Sequence, residues 1–191
     1  MAAMGSTDDR AVFVFDPDAS YKLVDQIRMS GSMPTVGLRY VASVTGGPWK
    51  IFKVMTFKGL LDVVQRLDTP GDPETATSFL PAVVRKSRYK TFTALVRIDT
   101  DVPDPARLIG QIGDVIGRDP DGTVEADVVT GAFDILACVV DDDEAHLLEQ
   151  ILAIREIPGV SATTTLRVHD YVSTSPNAID LPGNHHVEPA E

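Results

Sequence analysis

The segment of this sequence best suited to bind a small molecule is a turn made of Thr130, Gly131, Ala132, Phe133 and Asp134. Backbone N–H groups around a glycine can meet a ligand carboxylate, because no Cβ blocks the approach. The carboxylate of Asp134 can accept hydrogen bonds from an ammonium group, and nearby hydroxyls can orient that group. These hydroxyls belong to Thr130, Thr163 and Thr165. The same residue types also make an ordinary hairpin turn that satisfies its own backbone, so both interpretations stay open.

A second turn of similar sequence, TGGPWK, starts at Thr45, 85 residues before Thr130. Lys50 stands there in the place of the aspartate, and Trp49 precedes it. These two side chains can recognise an anionic or planar group. A tryptophan beside a turn is more often a packing anchor, and this alternative stays open as well.

The other residues whose side chains could react or bind a metal predict no catalytic constellation and no metal site. Cys138 lies in an apolar strand, so we expect a buried and inert thiol. The carboxylates of residues 141–144 stand at the start of a helix, where the helix dipole favours them without a cation. His146 and His169 have no partner that the sequence identifies. No cofactor is predicted.

Composition and charge limit the classes of function. The net charge of 17 − 28 = −11 argues against broad nucleic-acid binding. One cysteine and no apolar run of roughly 20 residues predict a soluble, cytoplasmic protein without disulfides or membrane contact. The charge is uneven, with 13 − 10 = +3 over residues 1–99 and 4 − 18 = −14 over residues 100–191. This asymmetry indicates either two solvated surfaces of different composition or subunits aligned head to tail.

The elements that must position these residues follow an α+β pattern, in which each half reads β-α-β-β-α-β. In the first half we predict strands over 11–15, 35–44, 49–57 and 76–84, with helices ending at Met29 and spanning 59–67. In the second half we predict strands over 91–98, 124–130, 133–140 and 162–169, with a helix between Pro105 and Gly117. A further helix follows a cap at Asp143 or a neighbour, and its predicted buried face comprises Leu147, Leu148, Ile151 and Leu152. The predicted domain bounds are a flexible N-terminus 1–10, a first unit 11–90, a second unit 91–172 and a disordered tail 173–191.

The two halves share local sequence, which predicts an internal repeat. TGGPWKIFKV corresponds to TGAFDILACV with one inserted residue. A β-α-β-β-α-β unit makes a four-stranded antiparallel sheet with both helices on one face. The other face is also apolar here, so we expect two such ferredoxin-like sheets to pack against each other within one chain.

The second half resembles the effector-binding (RAM) domain of the leucine-responsive regulator/AsnC family over about residues 91–171. The resemblance depends on the strand ALVRID, the helix after Pro105, the turn TGAFD, the helix end EIPGV and the last strand TTTLRV. It implies a ferredoxin-like unit that pairs into a dimeric α/β barrel, binds amino acids or similar effectors near the glycine turn, and assembles further. The family's N-terminal helix-turn-helix is missing from the pattern, because those residues read as strands and hairpins.

The function expected from these observations is a non-enzymatic, stand-alone sensor that binds a small amino-acid-like effector and forms a homo-oligomer, with no direct nucleic-acid partner. Its mechanism would be a shift between assembly states. The alternative is an enzyme, because barrels of this type also host small monooxygenases and decarboxylases, some of which hold a haem.

Overall fold

The computed structural model describes residues 9–34, 37–58, 74–79, 92–118, 124–174 and 185–186. The first half of the chain contributes β1 (Asp9–Asp16), α1 (Lys22–Ser30), β2 (Leu38–Thr45), β3 (Ile51–Lys58) and β4 (Glu74–Phe79). The second half contributes β5 (Phe92–Thr100), α2 (Ala106–Ile116), β6 (Ala126–Val128), β7 (Thr130–Gly131), β8 (Ile135–Asp141), α3 (Glu144–Arg155) and β9 (Val160–Ser173). A two-residue strand, β10 (His185–His186), pairs in parallel with the end of β9.

Most predicted elements that fall on described residues are confirmed, with ends shifted by a few residues. The cap of α3 is Asp143, whose carboxylate accepts hydrogen bonds from the N–H groups of Ala145 and His146. Gly31 ends α1 in the left-handed conformation, with φ of 73°. The predicted helix 59–67 and most of the N-terminus and the tail lie outside the described residues.

The predicted buried face of α3 is partly wrong. Leu147, Ile151 and Ile154 pack against the sheet, whereas Leu148 and Leu152 are 55% and 48% exposed. The sequence offers apolar residues on two sides of this helix, and only the side bearing Ile154 faces the strands.

The strands form one antiparallel sheet, and the first and last strands of its order, β6 and β7, follow each other in the sequence. The order is β6-β8-β5-β9-β2-β3-β1-β4-β7. Because β6 pairs with β8 and β7 pairs with β4, the continuous segment 126–131 connects one end of the strand order to the other. The sheet is therefore curled, and its inner face is enclosed by its own strands.

Side chains on the inner face form the main core of the described residues. This core is rich in aromatic rings from both halves, including Phe13, Phe15, Tyr40, Phe52 and Phe133. The outer face of β5 and β8 carries aliphatic residues that pack against α2 and α3. The outer face of β2 and β3 packs against α1. Alternation along each strand thus assigns one face to the helices and the other to the interior.

The predicted fold class is confirmed as mixed α+β, with a curled antiparallel sheet and three helices among the described residues. No helix in the described ranges is both long and apolar enough to cross a membrane.

Candidate functional site

The polar groups of the turn at residues 130–134 bond to other parts of the protein. The carboxylate of Asp134 accepts hydrogen bonds from the N–H of Thr100 at 2.7 Å and from its hydroxyl at 2.9 Å. Thr130 and Gly131 pair with β4, and the N–H of Ala132 donates to the carbonyl of Thr75 at 3.3 Å. The contacts of residues 130–132 join the turn to β4, and those of Asp134 join it to the end of β5, so groups predicted to hold an effector have structural partners. Effector binding at this turn stays a prediction.

The turn at residues 45–50 is built in the same way as the turn at residues 130–134. The N–H of Lys50 donates to the carbonyl of Asp16 at 3.0 Å, as the N–H of Asp134 donates to that of Ile98 at 3.1 Å. The carbonyl of Lys50 accepts from Val44 at 2.9 Å, as that of Asp134 accepts from Val129 at 2.8 Å. The hydrogen bonds therefore make Lys50 equivalent to Asp134 and Trp49 equivalent to Phe133.

Glycine is required at position 46, in the turn at residues 45–50, for two reasons. Gly46 has a φ of 112°, which residues with a Cβ rarely adopt. A Cβ at Gly46 would also lie 2.3 Å from the carbonyl oxygen of Thr165, so the turn approaches β9 directly.

Side chains from the two turns, Trp49 and Phe133, meet inside the curled sheet around an arginine. The guanidinium carbon of Arg97 lies 4.1 Å from the ring centroid of Trp49, 4.5 Å from that of Phe133 and 5.0 Å from that of Phe15. Phe15 also contacts both other rings edge-on, with centroids 5.7 and 5.5 Å away. We call Phe15, Trp49, Arg97 and Phe133 the Arg97 cluster.

The Arg97 cluster combines equivalent positions of the two halves. In the strand pairing, Phe15 lies opposite Phe52 and Arg97 lies opposite Leu136. Because Lys50 is equivalent to Asp134, Phe52 is equivalent to Leu136, and Phe15 is therefore equivalent to Arg97. One half thus presents an aromatic ring where the other presents a cation, which makes the cluster asymmetric in charge.

Arg97 is the main residue that the sequence interpretation missed. It is only 6% exposed, although it carries a permanent charge. The signal was present in the sequence, because Arg97 interrupts the apolar strand TALVRI at a position that alternation assigns to one face. That face could not be identified as the interior until Trp49 and Phe133 were known to converge on it.

Other ionisable and phenolic groups lie elsewhere on the inner face. Cys138 is buried, as predicted, and burial together with the charge and hydrogen bond of Glu125 raises the pKa of its thiol well above the ordinary value. Tyr40 and Tyr171 stack with ring centroids 5.5 Å apart. Burial, reinforced by the charge of Asp170, raises the pKa of Tyr171 to about 12. Both the thiol and this phenol are therefore neutral at neutral pH.

The structure does not bring Thr163 and Thr165 to the Arg97 cluster. Thr163 pairs with Ile98 and Thr165 with Val96, and these two partners belong to the core under the helices. Thr164 pairs with Arg97 and shares its face. Thr163 lines a surface groove of about 400 Å³ with Leu152, Arg155, Glu156 and residues 160–162.

His146 and His169 have hydrogen-bond partners that the sequence did not reveal. Nδ1 of His146 lies 2.8 Å from a carboxylate oxygen of Asp141, five residues earlier. Nε2 of His169 lies 2.6 Å from the hydroxyl of Thr45 on the neighbouring strand. Both contacts lie outside the aromatic interior. Within the described ranges, no group of three or more metal-ligating side chains occurs.

Comparison with known proteins gives only remote similarity. No family profile and no curated protein matches the chain. A solved structure of a proposed monooxygenase from Fusobacterium nucleatum subsp. nucleatum is similar over 87% of this chain and 93% of that one, with a TM-score of 0.46 and 12% identity. A haem-binding protein from Thermus thermophilus covers 85% and 92%, with a TM-score of 0.46 and 10% identity. An anthrone oxidase-like protein covers 93% and 98%, with a TM-score of 0.42 and 11% identity.

These comparisons contradict the expected function. The three structures named above are described as a proposed monooxygenase, a haem-binding protein and an anthrone oxidase-like protein. Those three descriptions agree with the enzyme alternative and contradict the predictions of a non-enzymatic sensor and of a chain that is not an enzyme. The sequence interpretation was based on the motif at residues 130–134 and did not recognise the aromatic interior with its arginine. The resemblance to the leucine-responsive regulator/AsnC family stays a prediction.

Proposed function

We propose that this protein is an enzyme that binds a planar aromatic substrate inside the curled sheet and oxidises it with molecular oxygen. The observation that carries the proposal is Arg97, a buried cation held among three aromatic rings from both halves of the chain. Aromatic side chains with one placed charge are the lining expected for a site that recognises flat, anionic molecules.

The architecture supports this placement. We infer that residues 11–79 and 92–173 are two ferredoxin-like units, because the strand orders β2-β3-β1-β4 and β6-β8-β5-β9 correspond element by element. The pairings β2–β9 and β4–β7 then join the units reciprocally into a barrel. The Arg97 cluster lies where the two equivalent turns converge, so both units contribute to one interior.

Arg97 supplies the electrostatic contribution to the proposed reaction. A guanidinium in a region of low dielectric stabilises a phenolate or enolate far more than it would in water. An acidic C–H between aromatic rings loses its proton to a water molecule more readily when the resulting charge is delocalised onto an oxygen beside Arg97. The carbanion formed in this way is the species that reacts with oxygen.

The atoms and electrons of the reaction balance without an added reductant. A ring-flanked CH₂ group and one O₂ give a carbonyl group and one water molecule. The substrate carbon loses four electrons, and O₂ accepts four. One oxygen atom forms the new C=O bond, and the other leaves as water with the two hydrogens of the CH₂ group.

Of the histidines whose side chains the structure describes, His146 and His169 both lie outside the interior, so neither can ligate a haem there. We therefore derive no step through a haem.

Anthrone is a suitable probe, because it is planar and carries an acidic CH₂ group between two rings. Conversion to anthraquinone is followed by absorbance for the wild type, Arg97→Met and Arg167→Met. Arg167 is a matched control, since it also stacks on a ring, Phe92 at 5.5 Å, but is exposed. We expect wild-type turnover above the protein-free rate and a loss of about 100-fold in Arg97→Met alone. Equal rates in the three proteins would refute the proposal.

A further inference from the structure

Apart from the proposed enzymatic site, one surface of the second half has the features of a protein–protein interface. Leu148 and Leu152 of α3 are about half exposed and lie one turn apart on the same side of the helix. Large aliphatic residues this exposed, adjacent to each other and to a groove, are typical of contact surfaces. The groove continues the same stripe, because Leu152, Arg155 and Glu156 line it together.

The wall of the groove opposite α3 is an open strand edge. Strand β9 pairs with β5 on one side from Val160 to Arg167. On its other side β2 pairs with β9 only from Arg167 to Ser173, and the turn at Gly46 approaches Thr165. Among the described strands, none pairs with that side of residues 160–164. Ser161 and Ala162 are exposed there. An open edge of this kind is a template for another strand.

The charges of the groove are self-complementary. Arg155 and Glu156 are adjacent, both exposed, and both line it. In a two-fold contact each surface meets a copy of itself, so Arg155 of one copy can face Glu156 of the other and the reverse. Two antiparallel strands are related by such a two-fold axis, so the same operation pairs the edge of residues 160–164 with itself.

We infer that a second copy of this chain binds here, with β9 pairing edge to edge, the Leu148 and Leu152 stripes in contact, and Arg155–Glu156 ion pairs on either side. The proposal does not depend on the enzymatic function, because the Arg97 cluster lies on the other face of the sheet. It specifies a surface for the homo-oligomer expected from the sequence.

The test is sedimentation equilibrium of the full chain across a wide range of concentration, with charge swaps that report on a specific pairing. Arg155→Glu and Glu156→Arg should each weaken the dimer at least about tenfold, because like charges then face each other across the axis. The double variant R155E/E156R should recover most of the affinity, since the pair is restored with its polarity reversed. Recovery is a result that simple misfolding cannot produce.

Two further measurements define the contact. Leu152→Glu should abolish the dimer, whereas the control Met29→Glu, at an 80% exposed site on α1, should leave it unchanged. Amide hydrogen exchange of residues 160–164 should slow on dimerisation. A chain that stays monomeric at every concentration overturns the proposal. So does a dimer that tolerates Leu152→Glu and both single charge swaps, because it must form through another surface.

Discussion

Replacing Arg97 by methionine tests whether the three ring contacts hold the interior together. The methionine fills similar space but removes the charge. Each cation–π contact is worth about 0.5–2 kcal/mol, depending on desolvation, and the three at 4.1, 4.5 and 5.0 Å are not additive. We therefore expect Arg97→Met to lower the free energy of unfolding by at least about 1 kcal/mol.

Urea denaturation followed by tryptophan fluorescence measures this change, because Trp49 is the single tryptophan of the chain and contacts Arg97 directly. The emission of the folded state should also change in Arg97→Met. Arg167→Met should change the free energy of unfolding by less than about 0.5 kcal/mol, since this arginine is about half exposed. If folded-state emission is identical in wild type and Arg97→Met, the stacking of Arg97 on Trp49 is not present in solution.

Three other predictions concern the pH dependence of stability and the turn at residues 130–134. Burial would raise the pKa of Asp16, but the hydrogen bond and charge of Lys53 at 2.6 Å outweigh it and hold this pKa below 3.8. The stabilisation is therefore present above about pH 4 and lost as the pH falls below it, and Lys53→Met should reduce this acid dependence in urea titrations, while the hydrogen bonds from the N–H groups of Asp18 and Ala19 remain. The pKa of Tyr171 is raised from 10.0 to about 12, so absorbance titration of tyrosinate should include a phenol that titrates near pH 12, and stability should fall as the pH rises from 10 to 12. Asp134→Ala should destabilise the fold by about 1–3 kcal/mol because two hydrogen bonds from Thr100 lose their acceptor, and a change below 0.5 kcal/mol in thermal or urea unfolding would contradict that role.

The sequence predicted the elements of the second half well, because their signals are local. Asp143 is a strong cap, Gly117 ends α2, and residues 135–139 alternate between two apolar faces. The equivalence of the two turns was also readable, since Trp49 and Phe133 follow glycines at matching places.

The site could not be read in the same way, because it depends on contacts between distant parts of the chain. Phe15 and Arg97 are separated by 82 residues and meet only when the sheet curls. The polar atoms of Asp134 were predicted to face a ligand, but their partner is Thr100, which no spacing rule indicates. The periodicity of α3 likewise could not distinguish Leu148 from Ile154, because both sides of the helix are apolar.

We propose that the aromatic interior oxidises a planar substrate with Arg97 beside the developing charge. The most direct measurement is mass spectrometry of the product formed from anthrone under ¹⁸O₂, with wild type, Arg97→Met and Arg167→Met in parallel. We expect one ¹⁸O atom per anthraquinone, formed by the wild type and Arg167→Met well above the protein-free rate and lost in Arg97→Met. Product formation that is independent of the protein, or that persists unchanged in Arg97→Met, would contradict it.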